Sequence, residues 1–187
     1  MAEWKPKIRT ESVIRGGLYR EALDYALRSG AYTSDRHDFH AGGLSNKQQK
    51  MLEGKLGEKA FKLFLLDNGI RFEEDHSRFN ERDEYDFLLR NPVMCLRLDV
   101  KTRTEPYHIR TLELVEQAAS HPKEIYISAR LCREQRSVRL LGWFTRQDML
   151  TRGRIENQGY LDNYVMYDWQ LRPMEELAWF CHRNFAQ

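Results

Sequence analysis

Cysteine is scarce in this chain and follows no pairing pattern: Cys95, Cys132 and Cys181 are far apart and none belongs to a CxxC spacing. An odd count without ligand spacing fits reduced thiols and argues against a disulfide framework or a zinc cage. No repeat, low-complexity tract or Pro/Gly-rich linker marks a boundary, so residues 1–187 are expected to form one domain large enough to bury a core. No apolar run approaches the roughly 20 residues that cross a bilayer. The opening stretch, MAEWKPKIRTESVIRGG, lacks the apolar segment of a secretory signal, so a cytoplasmic location without a membrane partner is expected. The glycine signatures GxxxxGK(S/T) and GxGxxG are missing, as is GxSxG, which leaves ATP, NAD and serine-hydrolase chemistry unsupported.

A strong charge of one sign is also lacking, since the net charge is +2. Its distribution is uneven. Residues 53–90 carry ten Asp or Glu against seven Lys or Arg, whereas residues 101–154 carry eleven Lys or Arg against six acids. An acidic centre beside a basic flank suits a metal next to a polyanion, and an ordinary solvated surface gives the same balance. Hydrophobic residues at 41% and charged residues at 31% place the chain among folded globular proteins.

Periodicity supplies the elements. Residues 11–29 read as a helix weakened by Gly16-Gly17 and stopped at Gly30. A second helix opens with a capping-box pattern at Ser45 and Gln48, carries the stripe Leu52, Leu56, Ala60 and Leu63, and closes at Gly69. IRFEEDHS is expected to be a short edge strand, and YDFLL and VMCLRLDVK are strands joined by the turn signal Arg90-Asn91-Pro92. TLELVEQAAS reads as a helix, EIYISARL and VRLLGWF as strands, TRQDMLTR as a short helix and NYVMYDW as a strand. A last helix starts after Pro173. The fold class is therefore α/β, a small mixed sheet flanked by helices, with additions at both ends.

The chemistry gathers in EYDFLLRNPVMCLRLDVKT. Side chains alternate along a strand, so Met94, Leu96, Leu98 and Val100 face one way, while Cys95, Arg97, Asp99 and Lys101 face the other. If the two strands pair through the turn, Asp86 and Asp99 lie near each other, a hard oxygen site suited to Mg²⁺ or Mn²⁺. The backbone carbonyl of Val100, between Asp99 and Lys101, is a candidate third ligand. Lys101 is placed to orient or help deprotonate the attacking water and to offset charge on a phosphate. Glu58 shares a helix face with Phe61 and Leu65, where a partly desolvated carboxylate wants a cation. A metal answers that need, and so does an i,i+4 pair with Lys62.

Glu58 on a helix, Asp86 on a strand and Asp99-Val100-Lys101 on the next strand resemble the PD-(D/E)XK nuclease superfamily, the restriction-endonuclease-like fold, over roughly residues 45–130. Tyr85 stands where that motif often has proline. The resemblance implies an αβββαβ catalytic core over residues 45–130; beyond it, nothing specific is recognised in residues 1–44, which the element reading makes a helical N-terminal extension, and 131–187 read as C-terminal strands and a helix. The resemblance also implies that Asp86, Asp99 and Glu58 are metal ligands, that Lys101 is the catalytic lysine and that Mg²⁺ is the cofactor, with Mn²⁺ as a substitute. The expected activity is endonucleolytic hydrolysis of double-stranded DNA leaving a 5′-phosphate, with a homodimer as the plausible assembly. The rival readings are a non-catalytic nucleic-acid-binding or protein-interaction module on this fold, or a nuclease acting on branched DNA, single strands or RNA.

Other residues are read as structural. Gln117 is expected on a solvated helix face, His37, His40, His76 and His108 lack the partners of a zinc site, and GWF at 142–144 and AWF at 178–180 are expected in the core. Arg103 and His108 are open to phosphate contact or to an ordinary surface role.

Overall fold

The structure, a computed structural model, describes residues 4–9, 11–33, 44–75 and 84–186. In chain order the elements are β1 (Ser12–Val13), α1 (Gly16–Thr33), α2 (Leu44–Asp67), β2 (Glu73–Glu74), β3 (Phe87–Arg90), β4 (Cys95–Arg103), β5 (Arg110–Leu114), α3 (Val115–Ser120), β6 (Ile125–Cys132), β7 (Ser137–Thr145), α4 (Arg146–Arg152), β8 (Arg154–Gln158), β9 (Leu161–Tyr167) and α5 (Met174–Phe185). Six strands form a mixed sheet in the order β1-β7-β6-β4-β3-β2, and three more form a small sheet in the order β5-β9-β8. Within the large sheet β4 and β6 run parallel and the other neighbours are antiparallel. The expected α/β class, a mixed sheet flanked by helices, is what the chain adopts.

The strand alternation of β4 sorts its two faces. Leu98 and Val100 are buried in the main core with Phe61, Leu65, Ile127 and Ala178, and Met94 and Leu96 pack at its margin. That core lies between the large sheet and α1, α2 and α5. Helix α2 is drawn tightly onto the sheet, because a Cβ added at Gly57 would run into the Thr102 side chain. It ends where the sequence indicates. Gly69 adopts φ +64°, and the Gly69 and Ile70 amides donate to the Leu66 and Leu65 carbonyls, the paired bonds of a Schellman cap. On the opposite face a smaller cluster of Ala118, Tyr126, Phe144, Met149 and Met166 joins β6, β7 and the small sheet.

Several expectations change. The stretch 11–15 is not helical: Ser12 and Val13 pair with Val138 and Ser137 at the sheet edge, and α1 begins at Gly16 and continues past Gly30. TLELVEQAAS divides into the end of β5 and the six-residue α3. Arg154–Gln158 is a strand that polar composition concealed. In α2 Leu52, Leu56 and Ala60 are buried as the stripe predicts, while its last position shifts: Phe64 is buried and Leu63 half-buried beside it. His37, His40, His76 and the Ser45 side chain lie outside what is described. Trp143, Phe144 and Ala178 are core residues as expected, whereas Trp179 and Phe180 are half-buried. Among the described residues no helix is long and apolar enough to cross a membrane.

Candidate active site

Asp99 and Lys101 lie on the face of β4 turned away from α2, beside Tyr126 and Ser128, their register partners on β6. Asp99 is buried, and its Oδ2 is 2.8 Å from the Lys101 ammonium. A second carboxylate, Glu113 Oε2, approaches that ammonium to 2.6 Å and is 2% exposed. Burial alone would depress the Lys101 ammonium, but the Asp99 and Glu113 charges paired with it hold it above the ordinary lysine range. Lys101 is therefore a fixed cation. Lys123, 1% exposed, stands 3.8 Å from Asp99 Oδ1.

Asp86 immediately precedes β3, the strand between β4 and β2. Its amide donates to the Leu98 carbonyl, and its Oδ2 accepts a 2.6 Å hydrogen bond from the Val100 amide, so the side chain is tied to β4 between Asp99 and Lys101. Desolvation, then the charges of Glu58 and Asp99, push the Asp86 carboxyl well above the ordinary carboxylate range. Lys55 and the Val100 amide pull the other way. Glu58 on α2 and Asp99 on β4 thus both act on Asp86, the residue just before β3. Glu58 and Asp86 also line a cavity of about 280 Å³ with Tyr25, Lys55, Glu74 and Asp75.

Lysines temper this acidity. Glu58 is 2.8 Å from Lys55, one turn earlier, while Lys62 pairs instead with Glu74 at 2.8 Å. Among the described residues no three Asp, Glu, His or Cys side chains form a ready-made metal cage. The donor set nevertheless fits a hard divalent cation. Asp86, Glu58 and Asp99 offer only oxygen, and the repulsion that Glu58 and Asp99 each exert on Asp86 is what a cation would relieve.

The remaining candidates stay apart. Arg103 is two residues beyond Lys101, but its guanidinium is 2.5 Å from Asp168 and its side chain is 9% exposed, so it braces the small sheet. His108 is exposed on the loop before β5, and Gln117 is half-buried in α3. Sequence reasoning missed Lys55, Glu113 and Lys123. Glu113 had a signal, because Thr111 and Glu113 share a strand face once β5 is read as extended. Lys123 had none, following His121-Pro122 in a short connection.

No family model matches the sequence, and no curated protein matches it. Among solved structures, the chain is similar to a bacterial homing endonuclease, with 11% identity and a TM-score of 0.45 over 71% of this chain and 91% of the endonuclease. It is also similar to a nuclease from a fusselovirus, with 14% identity and a TM-score of 0.38 over 75% of this chain and 94% of the viral protein. Both likenesses are loose, and the site is read from its own side chains.

Proposed function

We propose that the chain is a metal-dependent nuclease that hydrolyses phosphodiester bonds, with double-stranded DNA as substrate. The reading is supported by one observation above the rest. The charges of Glu58 on α2 and Asp99 on β4 both act on the Asp86 carboxylate, and Asp99 belongs to an Asp-x-Lys strand with Lys101 2.8 Å away. A structural ion pair explains Asp99 with Lys101; it gives no reason for Glu58 and Asp99 both to bear on a buried Asp86.

Asp86, Asp99 and Glu58, with the Val100 carbonyl, would hold Mg²⁺ or Mn²⁺. When bound, such an ion polarises the phosphate and lowers the pKa of the attacking water. The protein's part is preorganisation. The Val100 amide fixes the Asp86 carboxylate, and Lys55 fixes Glu58. Lys101 stays protonated and presents a positive charge where negative charge builds on the phosphoryl oxygens. Hydrolysis by in-line water attack leaves a 5′-phosphate.

A second reading has its own observation. Lys55 on Glu58 and Lys101 on Asp99 neutralise the carboxylates internally, as a non-catalytic binding module on this fold would permit. Labelled duplex, nicked, branched and single-stranded DNA and RNA, incubated with Mg²⁺, Mn²⁺ or Ca²⁺, separate the two. Cleavage in Mg²⁺ that Asp99→Asn abolishes supports the nuclease; binding without cleavage in any metal overturns it.

A further inference from the structure

We propose that Glu113 is a positioning residue for Lys101, retaining the ammonium when Asp99 turns its charge to the metal; this rests on the nuclease reading above. Lys101 is held from two sides, by Asp99 Oδ2 at 2.8 Å and by Glu113 Oε2 at 2.6 Å. The two carboxylates are not equivalent. Asp99 is also a candidate metal ligand, and a divalent ion competes with an ammonium for the same oxygens. Asp99 lies on β4 and its charge acts on Asp86, whereas Glu113 lies on β5 of the small sheet and meets the lysine from there.

Its placement is rigid. Glu113 and Thr111 project from the same face of β5, and both are buried. Thr111 Oγ1 and Ser128 Oγ are 2.7 Å apart, and Ser128 is the register partner of Lys101. That bond fixes β5 against β6 beside the lysine, while the β9 ladder holds the backbone of β5 from the other side. Lys123, buried near Asp99, balances the charge, so Lys101 and Lys123 face Asp99 and Glu113 as two cations and two acids. Engaging Asp99 with metal removes one anchor of Lys101 and leaves Glu113 as the other. Without Glu113 the ammonium would follow Asp99 toward the metal, or swing to solvent, and leave the position where phosphoryl charge builds. No proton moves through Glu113, which contributes a fixed charge at a fixed place.

The test uses the full chain and compares wild type, Glu113→Gln, Glu113→Asp, Lys101→Ala and the Lys101→Ala/Glu113→Gln double variant. Single-turnover cleavage of duplex DNA in Mg²⁺ is measured with DNA affinity in Ca²⁺ and thermal midpoints. Glu113→Gln keeps the shape and removes the charge, and should slow cleavage about 10- to 100-fold, the usual cost of losing a supporting partner, with DNA affinity unchanged. Glu113→Asp, which keeps the charge, should recover part of the rate. In the Lys101→Ala background, Glu113→Gln should have no further effect, which loss of fold alone cannot produce. A wild-type rate in Glu113→Gln, or equal loss with and without Lys101, overturns the positioning role and leaves the nuclease reading standing. A wild-type protein that cuts nothing in Mg²⁺ or Mn²⁺ overturns both. Should Glu113→Gln fail to fold, the rate of Glu113→Asp with and without Lys101 decides by the same criterion.

Discussion

The Val100 amide donates to Asp86 Oδ2 at 2.6 Å, so one backbone group of β4 holds the carboxylate that enters from β3. Asp86→Asn retains an acceptor for that amide and loses the charge. The variant should fold with a thermal midpoint near wild type yet bind Mn²⁺ far more weakly by calorimetry, because a neutral amide replaces an anionic ligand. Unchanged metal affinity would place the ion elsewhere.

Lys101→Ala removes no proposed ligand. Cleavage should fall by about 10²- to 10³-fold, the effect of losing one preorganised electrostatic group, while DNA affinity in Ca²⁺ changes little. Equal cutting by wild type and variant on supercoiled DNA would assign the activity to other residues.

Helix α2 carries Glu58 to the site only by pressing on β4 at Gly57. Gly57→Ala should force the helix away from Thr102 and cost about 1–3 kcal/mol in denaturant titration. Adding Thr102→Ala removes the hydroxyl and methyl that the new Cβ meets and should restore part of the loss. Independent, additive losses would show that the two sites are not in contact.

Asp148 caps α4 through Thr145 and accepts hydrogen bonds from Arg172 at 2.9 and 3.0 Å. Burial alone would raise its carboxyl, but Arg172 and Thr145 hold it well below the ordinary range. A depressed pKa contributes stability that is complete above about pH 4 and fades as the pH falls further. Asp148→Asn should therefore lower the thermal midpoint at neutral pH and flatten its decline between about pH 4 and pH 2. An acid limb identical to wild type would remove Asp148 from that role.

Burial pushes the Cys181 thiol up to about 12, whereas Cys95 and Cys132 are exposed. Iodoacetamide should label two sites in the native protein and three in denaturant, read by mass spectrometry. Three native labels would contradict the packing of α5.

Much of this was legible because the informative segments obey simple periods. In β4 apolar residues alternate with Asp99 and Lys101, and in α2 a helical stripe ends at a left-handed glycine, so both elements and the Glu58, Asp99 and Lys101 they carry could be placed; Asp86, read on a strand, lies one residue before β3. β5 was hidden for the opposite reason. Its buried side chains are Thr111 and Glu113 while Leu112 faces outward, which inverts the hydrophobic pattern that marks strands. The fused string TLELVEQAAS has no breaker between strand and helix, so the helical reading absorbed Glu113. β1 is two residues long and depends wholly on its partner in β7. The pairing of Glu58 with Lys55 rather than Lys62 was set by Glu74, which draws Lys62 to β2.

Because the backbone of β5 ladders with β9 and not with β4, the site straddles two hydrogen-bonded units. Local opening of the small sheet would carry Glu113 off while Asp99 stays on the large sheet, Asp86 beside it and Glu58 on α2. The lifetime of the β5–β9 ladder then becomes a clock for Lys101: amide exchange along Thr111–Leu114 measures how often the lysine loses its buried anchor, with the fold otherwise intact.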